Sequence, residues 1–180
     1  MILYNGCIYM CFENKKELYD ETLRILKLKA IRHSTARPNV SGLRKKNHHG
    51  RIGIPCRSQN FGMVYNRFKK GGVIFTESAN NSKYPELYEQ LKILIREIDP
   101  NFKYNTITVN HNFKCLPHYD QANKSPSIIL TLGDFEGGRL IVEGCPIDIH
   151  WKPLIFNGSV CEHATEEFTG CRYSIIYYNI

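Results

Sequence analysis

After residue 103 the apolar residues change period, and this change limits the possible folds more than any other feature of the chain. Before it, apolar side chains recur at helical spacing. After it they form short runs or alternate with polar residues: YNTITVN (104–110), SIILTLG (127–133), GRLIVEG (138–144), PIDIHW (146–151), PLIFNG (153–158) and CRYSIIYYN (171–179). Alternation with period two places successive side chains on opposite faces of a strand. Turn-forming residues separate the runs, at 134–138, Glu143-Gly144, Asn157-Gly158 and Thr169-Gly170. Several short strands at this spacing predict two packed sheets in a jelly roll.

The N-terminal half reads differently. Residues 13–30, with Leu18, Leu23 and Leu26, predict one helix. Pro85 and Glu86 suit a helical first turn, and Leu87, Leu91, Leu94, Ile95 and Ile98 then line one face until Asp99-Pro100 ends it. Residues 32–60 are rich in Arg, Lys, Asn, Gly and Ser and read as a long basic loop. The expected class is α+β: a double-stranded β-helix, or cupin-like jelly roll, with N-terminal helices packed on one sheet. A length of 180 residues suits one domain, with a helical and basic region at 1–100 and the jelly-roll core at 101–180.

Several classes drop out. No apolar stretch approaches the ~18 residues of a membrane span. The start, MILYNGCIYMCF, is interrupted by Asn5 and Gly6 and has no basic leader, so an intracellular location is expected. Seven cysteines are an odd number, and none of their spacings forms CxxC. Reduced, mostly buried thiols are expected rather than a disulfide framework or a zinc site.

Charge is distributed unevenly. Between Thr22 and Thr76 there are 13 Lys or Arg and no Asp or Glu, whereas the rest of the chain has 11 basic and 17 acidic residues. An acid-free stretch of this length suits a polyanion, and nucleic acid is the expected partner of the basic 22–76 segment. The alternatives are a solvated basic loop, an arm folded over the acidic remainder, or an acidic protein substrate.

The candidate chemistry lies in the strand-rich half. His118-Tyr119-Asp120 is the one HxD in the chain. Two residues apart at a strand end, imidazole and carboxylate share a face and can share a metal. His163, 43 residues beyond Asp120, follows the PLIFNG run. Two histidines and one carboxylate make the facial triad of non-haem Fe(II) oxygenases, with open positions for cosubstrate and O2. Arg172 and Ser174 open the last strand on one face. A guanidinium fork plus a hydroxyl is what the distal carboxylate of 2-oxoglutarate requires.

On these residues the stretch from Asn105 to Asn179 resembles the 2-oxoglutarate/Fe(II) dioxygenase superfamily, and within it the TET and J-binding-protein branch in its small stand-alone viral or algal form. The matching segments are VNHNFKCLPHYDQAN (109–123), LGDFEGGRLIVEG (132–144), PLIFNGSVCEHAT (153–165) and GCRYSIIYY (170–178). The likeness extends weakly to the preceding helix and to FGMVYNR, and not to residues 1–55. It implies that His118, Asp120 and His163 are iron ligands and that Arg172 and Ser174 hold 2-oxoglutarate. It further implies that Asn110 contacts the cosubstrate and Asn123 touches a flipped base. For these asparagines, a strand-end cap and an Asx turn are the structural alternatives. The chain lacks the Cys-rich region of animal TET enzymes and the separate DNA-binding domain of J-binding proteins.

The implied activity is hydroxylation of a C–H bond on a nucleic-acid base, 5-methylcytosine or thymine. The alternative is a prolyl or lysyl hydroxylase of the same superfamily; a non-catalytic binding module is a third reading. Among lesser features, Gly137-Gly138 reads as a β-turn rather than a phosphate loop, and His48-His49 as solvated or phosphate-facing. His150 reads as structural rather than a fourth ligand. Trp151, Tyr173, Tyr177 and Tyr178 are core or base-stacking candidates, and Tyr119 points either to the outer sheet or to the pocket.

Overall fold

The computed structural model describes residues 2–4, 7–9, 15–29, 31, 57–66 and 74–180. Two long helices come from the periodic segments. Helix α1, Lys16–Leu28, buries Tyr19, Thr22, Leu23, Ile25 and Leu26. It is shorter at both ends than the 13–30 expected. Helix α2 is a single turn and more, Ala79–Lys83, capped by the Ser78 side chain, which accepts from the Asn80 N–H. Helix α3, Pro85–Ile98, buries Leu87, Gln90, Leu91, Leu94, Ile95 and Ile98. That set repeats at three- and four-residue spacing, so a single stripe faces inward. Lys29 pairs with Glu86 and Lys15 with Glu97, which fixes α1 and α3 antiparallel. Between them, buried Gln90 Nε2 donates to Thr22 Oγ1 at 2.9 Å.

Eleven strands form two sheets among the described residues. The large sheet has the order β1-β2-β9-β6-β11-β5-β3-β4. Its members are β1 (Ile2–Tyr4), β2 (Cys7–Tyr9), β3 (Arg57–Asn66), β4 (Ile74–Glu77), β5 (Thr106–His111), β6 (Ser127–Gly137), β9 (Leu154–Phe156) and β11 (Phe168–Tyr178). The small sheet is β10 (His163–Thr165), β7 (Leu140–Val142) and β8 (Cys145–Ile147), in that order.

Register decides what the large sheet does. Ile175 on the central strand β11 lies opposite Val109 on β5 and Leu130 on β6. All three are fully buried, with Tyr177, Ile107 and Ile128, beneath the apolar stripes of α1 and α3. One residue away, Ser174 lies opposite Asn110 and Thr131. These side chains point to the other face, towards the small sheet. Between the sheets a second cluster, built on Ile129, Leu140, Val142, Ile147, Ile149, Leu154 and Phe156, fills one part of the sandwich. The remaining space is polar.

The expected architecture is therefore the observed one, a double-stranded β-helix with helices on one outer face. Details differ. The PIDIHW run continues as strand only to Ile147; Asp148–Trp151 turn, and Thr131 bridges to His150. Residues 57–60, read as the end of a basic loop, begin β3, because they pair with β5 from Arg57↔His111 onward. Residues 32–56, with His48-His49 and most of the basic 22–76 segment, lie outside the described residues. Of the cysteines, Cys115, Cys145, Cys161 and Cys171 are unbridged, and only Cys161 of these is buried. No described helix is long and apolar enough to cross a membrane.

Candidate metal centre and cosubstrate pocket

The small sheet aligns two histidines. His118 and His163 exchange both backbone hydrogen bonds at 3.0 Å, an antiparallel bridge that extends the sheet by one residue. Their rings lie 4.2 Å apart between centroids. The Asp120 N–H donates to Gly158 O at 2.7 Å, which turns the aspartate back between the rings. Asp120 Oδ1 is then 3.6 Å from His118 Nε2, and Oδ2 is 3.4 Å from His163 Nε2. The ligand atoms of the three residues all lie within 4.8 Å of one another.

The tautomers are set by the backbone. His118 Nδ1 is 2.7 Å from Leu116 O, and His163 Nδ1 is 3.1 Å from Cys161 O. A carbonyl only accepts, so each Nδ1 carries the proton and each Nε2 offers its lone pair to the common centre. A Cβ on Gly158 would lie 3.0 Å from His163 Cε1 and 3.4 Å from Asp120 Oδ2, so glycine leaves the room the triad needs. This donor set, two imidazoles and a carboxylate converging on one point, fits Fe(II).

The second half of the site lies on the inner face of the large sheet. Arg172 is 2% exposed, and among the described residues no carboxylate is in ion-pair range of it. Its Nε donates to Gly138 O at 3.2 Å, and its guanidinium lies over the rings of Phe168 and Phe135 at 5.4 and 5.6 Å. Burial pulls its pKa down to about 10, with the Cys115 thiol acting the other way. Gly138 has φ +69°, and a Cβ there would sit 2.9 Å from Arg172 Nε. Gly137, the last residue of β6, and Gly138 lead over to β7 in the small sheet and shelter the guanidinium; the pair makes a crossover between the sheets rather than the β-turn expected of it. Asn110 donates from Nδ2 to Ser174 Oγ at 3.2 Å, while its buried Oδ1 has no partner.

One cavity joins the two halves. It is lined by His118, Asp120 and His163, by Asn110, Arg172 and Ser174, and by the apolar Ile129, Leu140, Phe156 and Ile176. A buried cation without a counter-ion and a buried amide oxygen without a donor are both costly. A dicarboxylate reaching from the triad to Arg172 neutralises the first, so these residues fit 2-oxoglutarate.

Beside this cavity lies a cleft of about 330 Å³, lined by Asn60, Thr108, Tyr119, Asp120, Asn123 and Tyr178 among others. Thr108 Oγ1 is 2.9 Å from both Asn60 Oδ1 and the Tyr178 hydroxyl. Asn123 sits in the turn after Asp120, its N–H donating to Asp120 O and its Nδ2 to Ser127 Oγ at 3.2 Å. Tyr119 lines the cleft and is 46% exposed. The four aromatic candidates separate by register. Tyr173 and Tyr177 are buried under the helices, Tyr177 donating to Leu91 O, while Trp151 packs against Tyr19. Only Tyr178 of the four lines the cleft. His150 sits on Gly133 O and against Phe135, away from the triad.

Asn60, Gly158 and Thr108 were not singled out by sequence. Thr108 and Tyr178 share the parity of Asn110 and Ser174 on their strands, a signal available once register is known. Asn60 lies on β3, outside the run of strands after residue 103, and carries no such signal.

Comparison with known proteins shows the same fold. No protein-family model and no curated protein sequence matches the chain. Among solved structures, it is similar to NgTET1 in complex with 5mC DNA, with TM-score 0.62 and 16% identity over 97% of this chain and 72% of that one. It is similar to OsALKBH1, with TM-score 0.56 and 12% identity over 100% of this chain and 99% of that one. A Pseudomonas putida prolyl-4-hydroxylase gives TM-score 0.52 and 12% identity over 96% and 91%. The chain thus has the double-stranded β-helix fold of the 2-oxoglutarate/Fe(II) oxygenases.

Proposed function

We propose that this protein is a 2-oxoglutarate- and Fe(II)-dependent dioxygenase that hydroxylates a C–H bond on a nucleic-acid base, 5-methylcytosine or thymine. One observation carries the class: a two-histidine, one-aspartate cluster and the buried Arg172, which has no carboxylate in ion-pair range among the described residues, line one cavity. His118, Asp120 and His163 would hold the metal, and Arg172, Ser174 and Asn110 the cosubstrate. Held there, Fe(II) and 2-oxoglutarate would supply the oxidising chemistry with O2, one oxygen atom going into succinate with loss of CO2 and the other into the substrate hydroxyl. The protein contributes geometry. The two backbone carbonyls accept from Nδ1 of each histidine and turn Nε2 towards the metal position, Arg172 orients the dicarboxylate, and the wall from Ile129 to Phe156 keeps the centre dry.

The lining of the cleft supports a base as substrate. Its described side chains are amides, hydroxyls and apolar groups, and its one ionisable carboxylate side chain is Asp120 of the triad. A neutral, flat group with hydrogen-bonding edges suits such a lining, and a flipped base is one. A lysyl side chain would require a further carboxylate. The similarity to a prolyl-4-hydroxylase supports the second reading, a protein hydroxylase. Succinate formation separates them. Protein with Fe(II), 2-oxoglutarate and O2 should form succinate faster with 5-methylcytosine DNA than without it, and Asp120→Ala should form none. Stimulation by a prolyl peptide and not by DNA would favour the second reading.

A further inference from the structure

One cysteine of the described four lines the cosubstrate cavity. Cys115 is partly exposed and shares that cavity with Arg172 and with Asn110, whose buried Oδ1 has no partner. The other three lie elsewhere. Cys145 is on β8, and Cys161 is buried in the apolar cluster between the sheets. Cys171 packs on the helix-covered face, with its Sγ 3.4 Å from His111 Nε2.

The backbone holds Cys115 in place. The Thr165 N–H donates to Cys115 O at 3.0 Å, Lys114 pairs with Glu167, and His118 is bridged to His163. The chain on both sides of Cys115 is therefore tied to residues 163–167. Arg172 is as firmly placed, through its Nε bond to Gly138 O. The thiol is close enough to the guanidinium to raise its pKa against the pull of burial.

Partly exposed thiols beside a cation are the ones that peroxide oxidises. One oxygen of H2O2 bonds to sulfur as the O–O bond breaks, and sulfur loses two electrons. The other oxygen leaves as hydroxide and takes the thiol proton to become water, which leaves a sulfenic acid. A second H2O2 repeats the exchange and gives a sulfinic acid, which is ionised at neutral pH. The two sulfinate oxygens form a fork like that of a carboxylate. Beside Arg172 they offer the charge-assisted hydrogen bonds that one end of a dicarboxylate would make.

We propose that Cys115 is an oxidation site, and that its sulfinate pairs with Arg172 and closes the cavity to 2-oxoglutarate. The proposal rests on the cosubstrate reading of Arg172 and adds control of that site by peroxide.

The test uses Mn(II)-loaded protein treated with H2O2, which is removed before peptide mass spectrometry and calorimetric titration with 2-oxoglutarate. Cys115 should gain two oxygens about tenfold faster than Cys145, which is also partly exposed. Saturating 2-oxoglutarate should slow alkylation of Cys115 by iodoacetamide and leave Cys145 unaffected. Affinity for 2-oxoglutarate should fall at least ~10-fold in oxidised wild type, whereas Cys115→Ala should bind equally before and after treatment. Cys115→Asp, which supplies a carboxylate without oxidation, should bind weakly from the start. Oxidation of Cys115 no faster than that of Cys145, or oxidised protein that binds as well as untreated, overturns the proposal and leaves the cosubstrate reading intact. If untreated wild type does not bind 2-oxoglutarate, that reading fails and the proposal with it.

Discussion

Strand β11 has two faces with opposite chemistry, and the contrast separates what folds this protein from what it is proposed to do. Tyr173, Ile175 and Tyr177 face the helices and are 4%, 0% and 0% exposed. Arg172 and Ser174 face the small sheet and are as deeply buried, at 2% and 4%. Burial is equal, but what is left unsatisfied differs in charge. On the helix face the fully buried Tyr177 donates to Leu91 O at 2.8 Å, and the neutral amide of Gln59, opposite Val109, is without a partner. On the other face a cationic guanidinium has no carboxylate in ion-pair range among the described residues, and Asn110 Oδ1 has no donor. Apolar burial on one face stabilises the fold and tolerates the buried charge on the other, which an anionic ligand would offset.

This contrast can be tested from the largest expected effect downward. Asp120→Ala leaves two imidazoles without the anionic ligand. Succinate formation should be abolished, a loss of more than ~100-fold, with the helix-face core and thermal stability little changed. Ile175→Ala should do the reverse. It empties a fully buried position and should cost about 2–5 kcal/mol in urea unfolding, while 2-oxoglutarate affinity of the folded fraction stays near wild type. If Ile175→Ala abolished cosubstrate binding without loss of stability, the division between faces would be wrong.

Arg172→Met sharpens the comparison further. It replaces an unpaired buried charge by an apolar chain of similar length, so the ligand-free protein should be as stable as wild type or more so. Its 2-oxoglutarate affinity should fall at least ~10-fold through loss of charge-assisted hydrogen bonds, measured by calorimetry with Mn(II).

A pH effect follows from the same residue. Burial lowers the Arg172 pKa to about 10, so the guanidinium is charged below that pH and loses its proton above it. Cosubstrate affinity attributable to Arg172 should hold from neutrality to about pH 9 and fall as pH passes 10, and Arg172→Met should lack that fall. The smallest expected effect is that of Gly138→Ala. Its Cβ would meet Arg172 Nε at 2.9 Å with φ at +69°, so the guanidinium must shift, raising the Kd for 2-oxoglutarate several-fold.

Much of this division was legible in the sequence. Alternation in YNTITVN and CRYSIIYYN predicts which residues share a face, and HxD with a later His and RxS predicts the cluster. The stripe Leu87–Ile98 predicts the covering helix. Other parts were hidden for physical reasons. The three-residue β10 is too short to show a period, so His163 was placed after a strand rather than at the start of one. The Gly158 contact with the triad depends on backbone approach, which composition does not encode. Strand β3 lay in a segment whose charge pattern dominated its alternation, and Asn60 went unmarked with it.

The most direct test is the unfolding temperature of Mn(II)-loaded wild-type and Arg172→Met protein, each with and without saturating 2-oxoglutarate. The ligand should raise the unfolding temperature of wild type by several degrees and leave Arg172→Met nearly unmoved, since Arg172 is the group it satisfies. Equal stabilisation of both proteins would contradict the claim that the buried guanidinium is there to receive the cosubstrate.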